Sequence, residues 1–193
     1  MNLDRMAQLI RQRHDAPDAD TVVEILGAAE QEEALRVLVR QALLTRRAWS
    51  MRLAAIAMNR FVASPSDGRV SDVTELIFEL ARVVIEVDDD AAIQTCLNAT
   101  KWLNETDRLR PRDDHDRQSV LELLWRSLNS DVYNTRESGL DTLTSIYDFG
   151  DLVELLGGDG TQELRRRIHE ARSEADGELA EDLASAERLL PKA

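Results

Sequence analysis

Arg52, Gln94 and Arg136 lie 42 residues apart in turn, each near the start of the second helix of a predicted pair. The first helices of these pairs contain ALRVLVRQALL, VTELIFELARVVIEV and SVLELLWRSL, each with one dominant apolar face. The second helices contain MRLAAIAMNRFV, AAIQTCLNATKWL and TRESGLDTLTSI, with apolar or small residues at matched turns. No other feature constrains the fold as much. A single helical hairpin cannot bury its own apolar face, so hairpins recurring at this period must stack on one another. Shifted by 43, Leu140, Leu143 and Ile146 fall on Leu183, Ala186 and Leu189, which makes the C-terminal helix the second helix of a degenerate fourth unit.

Helical periodicity runs through nearly the whole chain and is broken by DAPDAD at 15–20, SPSDGR at 64–69, RLRPRDDHD at 108–116 and GGDG at 157–160. Between the breaks the spacing predicts helices over 2–14, 20–29, 31–45, 47–63, 71–87, 89–106, 116–129, 132–148, 150–156, 161–172 and 175–190. VVIEV at 83–87 is the one β-like run, but it continues the helical spacing of Val73, Leu76, Ile77, Leu80, Ala81 and Val84. Aromatics supply only 4% of residues against 43% apolar residues in all, so the core must come from Leu, Val, Ile and Ala.

The run LLWRSLNSDVYNTRESGLDTLTSI, Leu123 to Ile146, resembles a HEAT repeat: a leucine-rich helix, a turn with Asn and Asp, then Arg followed by small residues and leucines at helical spacing. The resemblance to the HEAT and armadillo-like family is clearest over 31–150. It implies an all-α, right-handed α-solenoid of about 9–11 helices. As a single repeat domain over 1–193, it would comprise capping helices at 1–30, hairpins at 31–63, 71–106 and 116–148, and a degenerate capping unit at 150–190. It also implies an Asp–Arg ladder, for which Asp131 and Arg136 match one rung. The first unit keeps Arg52 without a turn Asp, and the second has Asp88, Asp89 and Asp90 but Gln94 in place of Arg.

Chemistry-bearing patterns are scarce. His14, His115 and His169 sit on separate segments without a ligand partner at i+3 or i+4, so no metal or cofactor site is expected. Asp113, Asp114 and Asp116 around His115 could chelate a cation, or could cap the helix that follows. His169-Glu170 resembles the His-Glu pairs of HEAT-repeat iron hydroxylases, which need several such pairs. GGDG lacks the preceding strand and following Lys of a phosphate loop and is expected to be a turn, with Asp159 or Thr161 as N-cap. Cys96 has the neighbours of a small core residue. No nucleophilic site emerges, so a non-enzymatic role is expected, and a bilin-lyase type of HEAT protein is a remote alternative. No apolar run approaches the roughly 20 residues of a membrane span, and the N-terminus lacks a signal-peptide core, which predicts a soluble, cytoplasmic protein.

In solenoids the second helices usually line the working surface. Their polar stripes give candidate groove residues: Arg52 and Asn59, then Gln94, Asn98 and Lys101, then Ser138, Asp141 and Ser145. Stacked in order they grade from basic to acidic, which suits an extended or helical peptide and makes a protein partner the leading expectation. Amphipathic helices leave a solvated stripe in any case, so the pattern alone does not define a ligand.

Residues 36–60 carry six arginines and no acid, making Arg36, Arg40, Arg46 and Arg47 a candidate patch for nucleic acid or another anion, while Arg60 is expected to pair with a neighbouring acid or stack on Trp49. Some HEAT-like proteins, alkylpurine DNA glycosylases among them, hold DNA in such a groove. Here the remaining 168 residues carry 18 basic and 37 acidic side chains, a field that repels a phosphate backbone. With 22 arginines, two lysines and a formal net charge of −13, the composition suggests a GC-rich and salt-tolerant source. It says nothing of the oligomeric state.

Overall fold

The computed structural model describes residues 1–63, 74–106 and 108–191. Ten helices and no strand are formed by these residues: α1 (Leu3–Gln12), α2 (Ala19–Ala28), α3 (Glu32–Thr45), α4 (Ala48–Ala63), α5 (Thr74–Val87), α6 (Asp90–Glu105), α7 (Asp114–Leu128), α8 (Tyr133–Phe149), α9 (Leu152–Glu174) and α10 (Gly177–Leu189). None of them is long and apolar enough to cross a membrane.

Acidic breaks in the sequence become helix starts because a carboxylate there accepts the backbone N–H groups that have no partner inside the helix. Asp18 accepts from Thr21 at 2.9 Å, Asp89 from Ala92 at 3.0 Å, and Asp151 from Val153 at 2.7 Å. Asp113 accepts from both His115 and Asp116, so the acidic run around His115 serves as a cap. SPSDGR and the expected helix start at 71 lie outside the described residues.

The GGDG segment departs from expectation. Only Gly157 leaves helical geometry, at φ 75° and ψ 164°, and helix continues on both sides of it as a kinked α9. That conformation is cheap for glycine and costly for residues with a Cβ. Neither proposed cap acts as one: Asp159 is exposed, and the buried Thr161 donates its hydroxyl to the Gly157 carbonyl at 2.9 Å, within the helix.

The helices stack in two rows. α1, α3, α5, α7 and α9 contact one another in order, and α2, α4, α6, α8 and α10 do likewise, while α3 with α4, α5 with α6, α7 with α8 and α9 with α10 close antiparallel hairpins. The core lies between the rows. Met51, Met58, Phe78, Leu80, Ile93 and Leu97 are among its fully buried members, and Phe78 is its only aromatic among the described residues. Cys96 belongs to it as well; burial pushes its thiol up to about 12, so it stays protonated near neutral pH. In the third hairpin Gly139 permits close approach, for a Cβ there would lie 2.4 Å from Ser127 Oγ.

Candidate functional site

The even-numbered row carries the predicted groove residues, and most of them are used between helices. Arg52 of α4 sends Nε to both carboxylate oxygens of Asp89, at 2.8 Å each, and Nη2 to Oδ2 at 2.6 Å. Burial pushes the Asp89 carboxyl up, but Arg52 and the Ala92 N–H outweigh it and hold Asp89 below its ordinary value. Gln94 Nε2 donates to Thr135 Oγ1 at 2.9 Å, and Lys101 Nζ lies 3.9 Å from Asp141. Asn104 Nδ2 donates to the Ser145 carbonyl at 3.1 Å.

Ser145 was expected on the open stripe and is instead 3% exposed, closed into the seam between α6 and α8 by Asn104. Asn59 is half-buried with its Oδ1 unpaired, and Ser138 donates to its own helix at the Asn134 carbonyl. Asn98 is exposed. The stripe therefore divides: Asn98 and part of Asp141 face outward, while Arg52, Gln94, Lys101 and Ser145 work largely across the seams.

The three consecutive acids of the second unit divide their work in the same way. Asp88, with φ 55°, accepts from Arg126 Nε at 2.8 Å; Asp89 takes Arg52 and caps α6; Asp90 accepts from Ser130 and Thr135 hydroxyls at 3.0 and 2.9 Å. The ladder rung between Asp131 and Arg136 takes another form. Arg136 is buried and donates Nη1 to the backbone carbonyls of Ser130 and Asp131, while its carboxylate partners are both on α10: Asp182, at 2.8 Å from Nε, and Glu178, at 3.7 Å from Nη2. Its guanidinium also lies 5.8 Å from the Tyr133 ring centroid.

The arginines of 36–60 do not gather into one open patch. Arg36 bonds Glu32 and, at 2.9 Å, Glu75 of α5, and Glu75 in turn pairs with Arg112, which grips the buried Asp116. Arg46 pairs with Glu86. Arg47 donates to the carbonyls of Ile10, Arg11 and Arg13, capping the end of α1. Arg40 stays exposed with no ion-pair partner among the described residues. Arg60 is exposed too, with neither the acid nor the Trp49 stacking expected of it among the described residues; Trp49 donates its indole N–H to the His14 carbonyl.

Four exposed aromatics stand on α6 and α8, Trp102, Tyr133, Tyr147 and Phe149, and two of them flank the predicted stripe. Trp102 is 44% exposed and Tyr147 is 61% exposed. Each sits one or two residues from a polar stripe position, Lys101 and Ser145, and that adjacency is the signal that could have found them. Glu137, Asp141 and Asp148 of α8 are exposed as well. Among the described residues no group of His, Cys, Asp and Glu is arranged to hold a metal ion. No protein-family model matches the chain, and comparison with curated proteins finds none that matches.

Proposed function

We propose that the chain is a right-handed, HEAT-like α-solenoid whose even-numbered helices present a surface for another protein or peptide, in a non-enzymatic scaffold or adaptor role. The two-row stacking supports the architecture, as do the seam bonds. They join residues 37 to 46 positions apart, near the sequence period, as an array of nearest-neighbour units would. The observation that carries the functional reading is the set of large exposed aromatics on neighbouring helices of one row, Trp102 on α6 with Tyr133, Tyr147 and Phe149 on α8. Aromatic side chains of this kind supply much of the binding energy of protein interfaces. The nucleic-acid alternative gains no support, since Arg36, Arg46 and Arg47 are engaged within the chain.

The test is a photo-reactive amino acid placed at Asn98 or Thr144 on the even row, and at Gln118 on the odd row, in cells of the native source. The reading expects one cross-linked species of defined mass from both even-row positions and none from Gln118, with the species lost on Tyr147→Ala. Cross-links absent from the even row, or equal from all three positions, remove it.

A further inference from the structure

Ionic and polar groups on α6 and α8 define what the occupant of the even-row face must carry. The Lys101 to Asp141 and Asn104 to Ser145 contacts join residues 40 and 41 positions apart, so they fix the register between the two helices and bracket Trp102. On α8, Glu137, Asp141, Thr144 and Asp148 follow one another at spacings of 4, 3 and 4, which places them along one helical face. All four are exposed. Lys101, at 3.9 Å, reaches only Asp141, and Glu137 and Asp148 have no ion-pair partner among the described residues. Tyr147, 61% exposed, stands beside this row of carboxylates, and Trp102, 44% exposed, stands on the helix across the seam.

We propose that this α6–α8 face docks a short basic segment of a partner protein, with Lys or Arg side chains meeting Glu137, Asp141 and Asp148 and apolar anchors covering Trp102 and Tyr147. The inference rests on the reading of the even row as a protein-binding surface and names the chemistry of the partner. Unpaired carboxylates beside exposed apolar area favour a ligand that brings the opposite charge, because complementary potential speeds encounter and rejects wrong partners while the buried aromatics hold the complex. A second copy of this chain fits badly, since each copy carries −13. An anionic membrane or a phosphate backbone meets the same repulsion. Arg60, exposed on α4 one period before Trp102, adds polarity: the basic end of the segment lies over α8, away from Arg60.

The probes are two synthetic amphipathic peptides of about 15 residues, one of Lys and Leu and one of Glu and Leu, read through the assigned indole N–H resonance of Trp102. The Lys/Leu peptide is expected to shift that resonance saturably, with affinity falling about tenfold between about 50 and about 300 mM salt. The Glu137→Gln, Asp141→Asn, Asp148→Asn triple variant should weaken it at least about tenfold. A charge-matched control, Asp20→Asn, Glu33→Gln, Asp159→Asn, on exposed acids elsewhere, should leave it within about twofold. The inference fails if the two peptides bind equally, if the control triple weakens binding as much as the face triple, if the peptide binds without moving Trp102, or if it does not bind. Cross-links from Asn98 and Thr144 that persist beside such a failure would leave the wider reading intact with a different partner chemistry; their absence would remove both.

Discussion

Arg52 and Arg136 each stand in the first turns of an even-numbered helix, α4 and α8, yet they hold together different kinds of seam. Between α4 and α6, the Arg52 side chain is 54% exposed and folds over Asp89, which is 7% exposed and already fixed as a helix cap. Between α8 and α10, the Arg136 side chain is 6% exposed and is surrounded by two carbonyls, Asp182 and the Tyr133 ring. The α4–α6 seam buries the acid and leaves the arginine's outer edge in water; the α8–α10 seam turns the arginine inward and uses it to hold α10, whose buried apolar face is reduced to Leu183 and Ala186. A repeated residue thus has a local role set by its neighbours.

The contrast predicts unequal costs. Arg136→Ala removes a buried cation and leaves Asp182 and two carbonyls without their donor, so it should lower unfolding stability by about 3 kcal/mol. Urea denaturation gives the value, and Arg136→Lys should recover less than half because an ammonium cannot reach all the acceptors at once. A loss below about 1 kcal/mol would mean that α10 docks on apolar contacts alone.

Asp89→Asn comes next, at about 1.5 kcal/mol near neutral pH, because the amide keeps some capping but loses the charge that Arg52 grips. Here the pH dependence identifies the cause. The folded carboxyl is held below its ordinary value, so its stabilisation is fully present above the unfolded value of about 3.9 and disappears as pH falls through the lower folded value. The gap between the native chain and Asp89→Asn should be constant from about pH 5 to 7 and close on further acidification. A gap unchanged in acid would assign the cost to capping and packing.

The helices and the breaks between them were legible in the sequence because each depends on spacing within one helix or on residues next to a helix start. Asp18, Asp89, Asp113 and Asp151 all sit at such starts. The seams were not legible in the same way. Gln94, Lys101 and Ser145 lie on polar stripes, but whether a stripe residue meets water or the next helix depends on the register between helices, and a shift of one turn exchanges the two. Ser145 is the clearest case: its helical position matched the stripe, and the reach of Asn104 across the seam buried it. The break at Gly157 is visible in the sequence, but the longer turn expected there does not form, since a single glycine at positive φ redirects the helix within one residue.

Arg52→Ala should cost about 1 kcal/mol, less than Asp89→Asn, because its guanidinium is half in water and the charge it leaves behind can still be hydrated at the seam's edge. Measured together, the two substitutions should be less costly than their sum by about the coupling energy of the pair. Full additivity would break the assignment of Asp89 as the acid that Arg52 serves.

Arg60→Ala sets the lower end of the scale. This arginine shares a helix with Arg52, and its spacing from Trp49, Leu53 and Ile56 suggests a structural partner, yet it is exposed with no acid or ring engaged among the described residues. Its removal should change stability by no more than about 0.5 kcal/mol, because nothing buried loses a partner and the stem covers little apolar area. A cost above about 1 kcal/mol would place Arg60 with Arg52 as a seam residue and restore the expectation from spacing; a value near zero leaves it as an open cation at the margin of the even row.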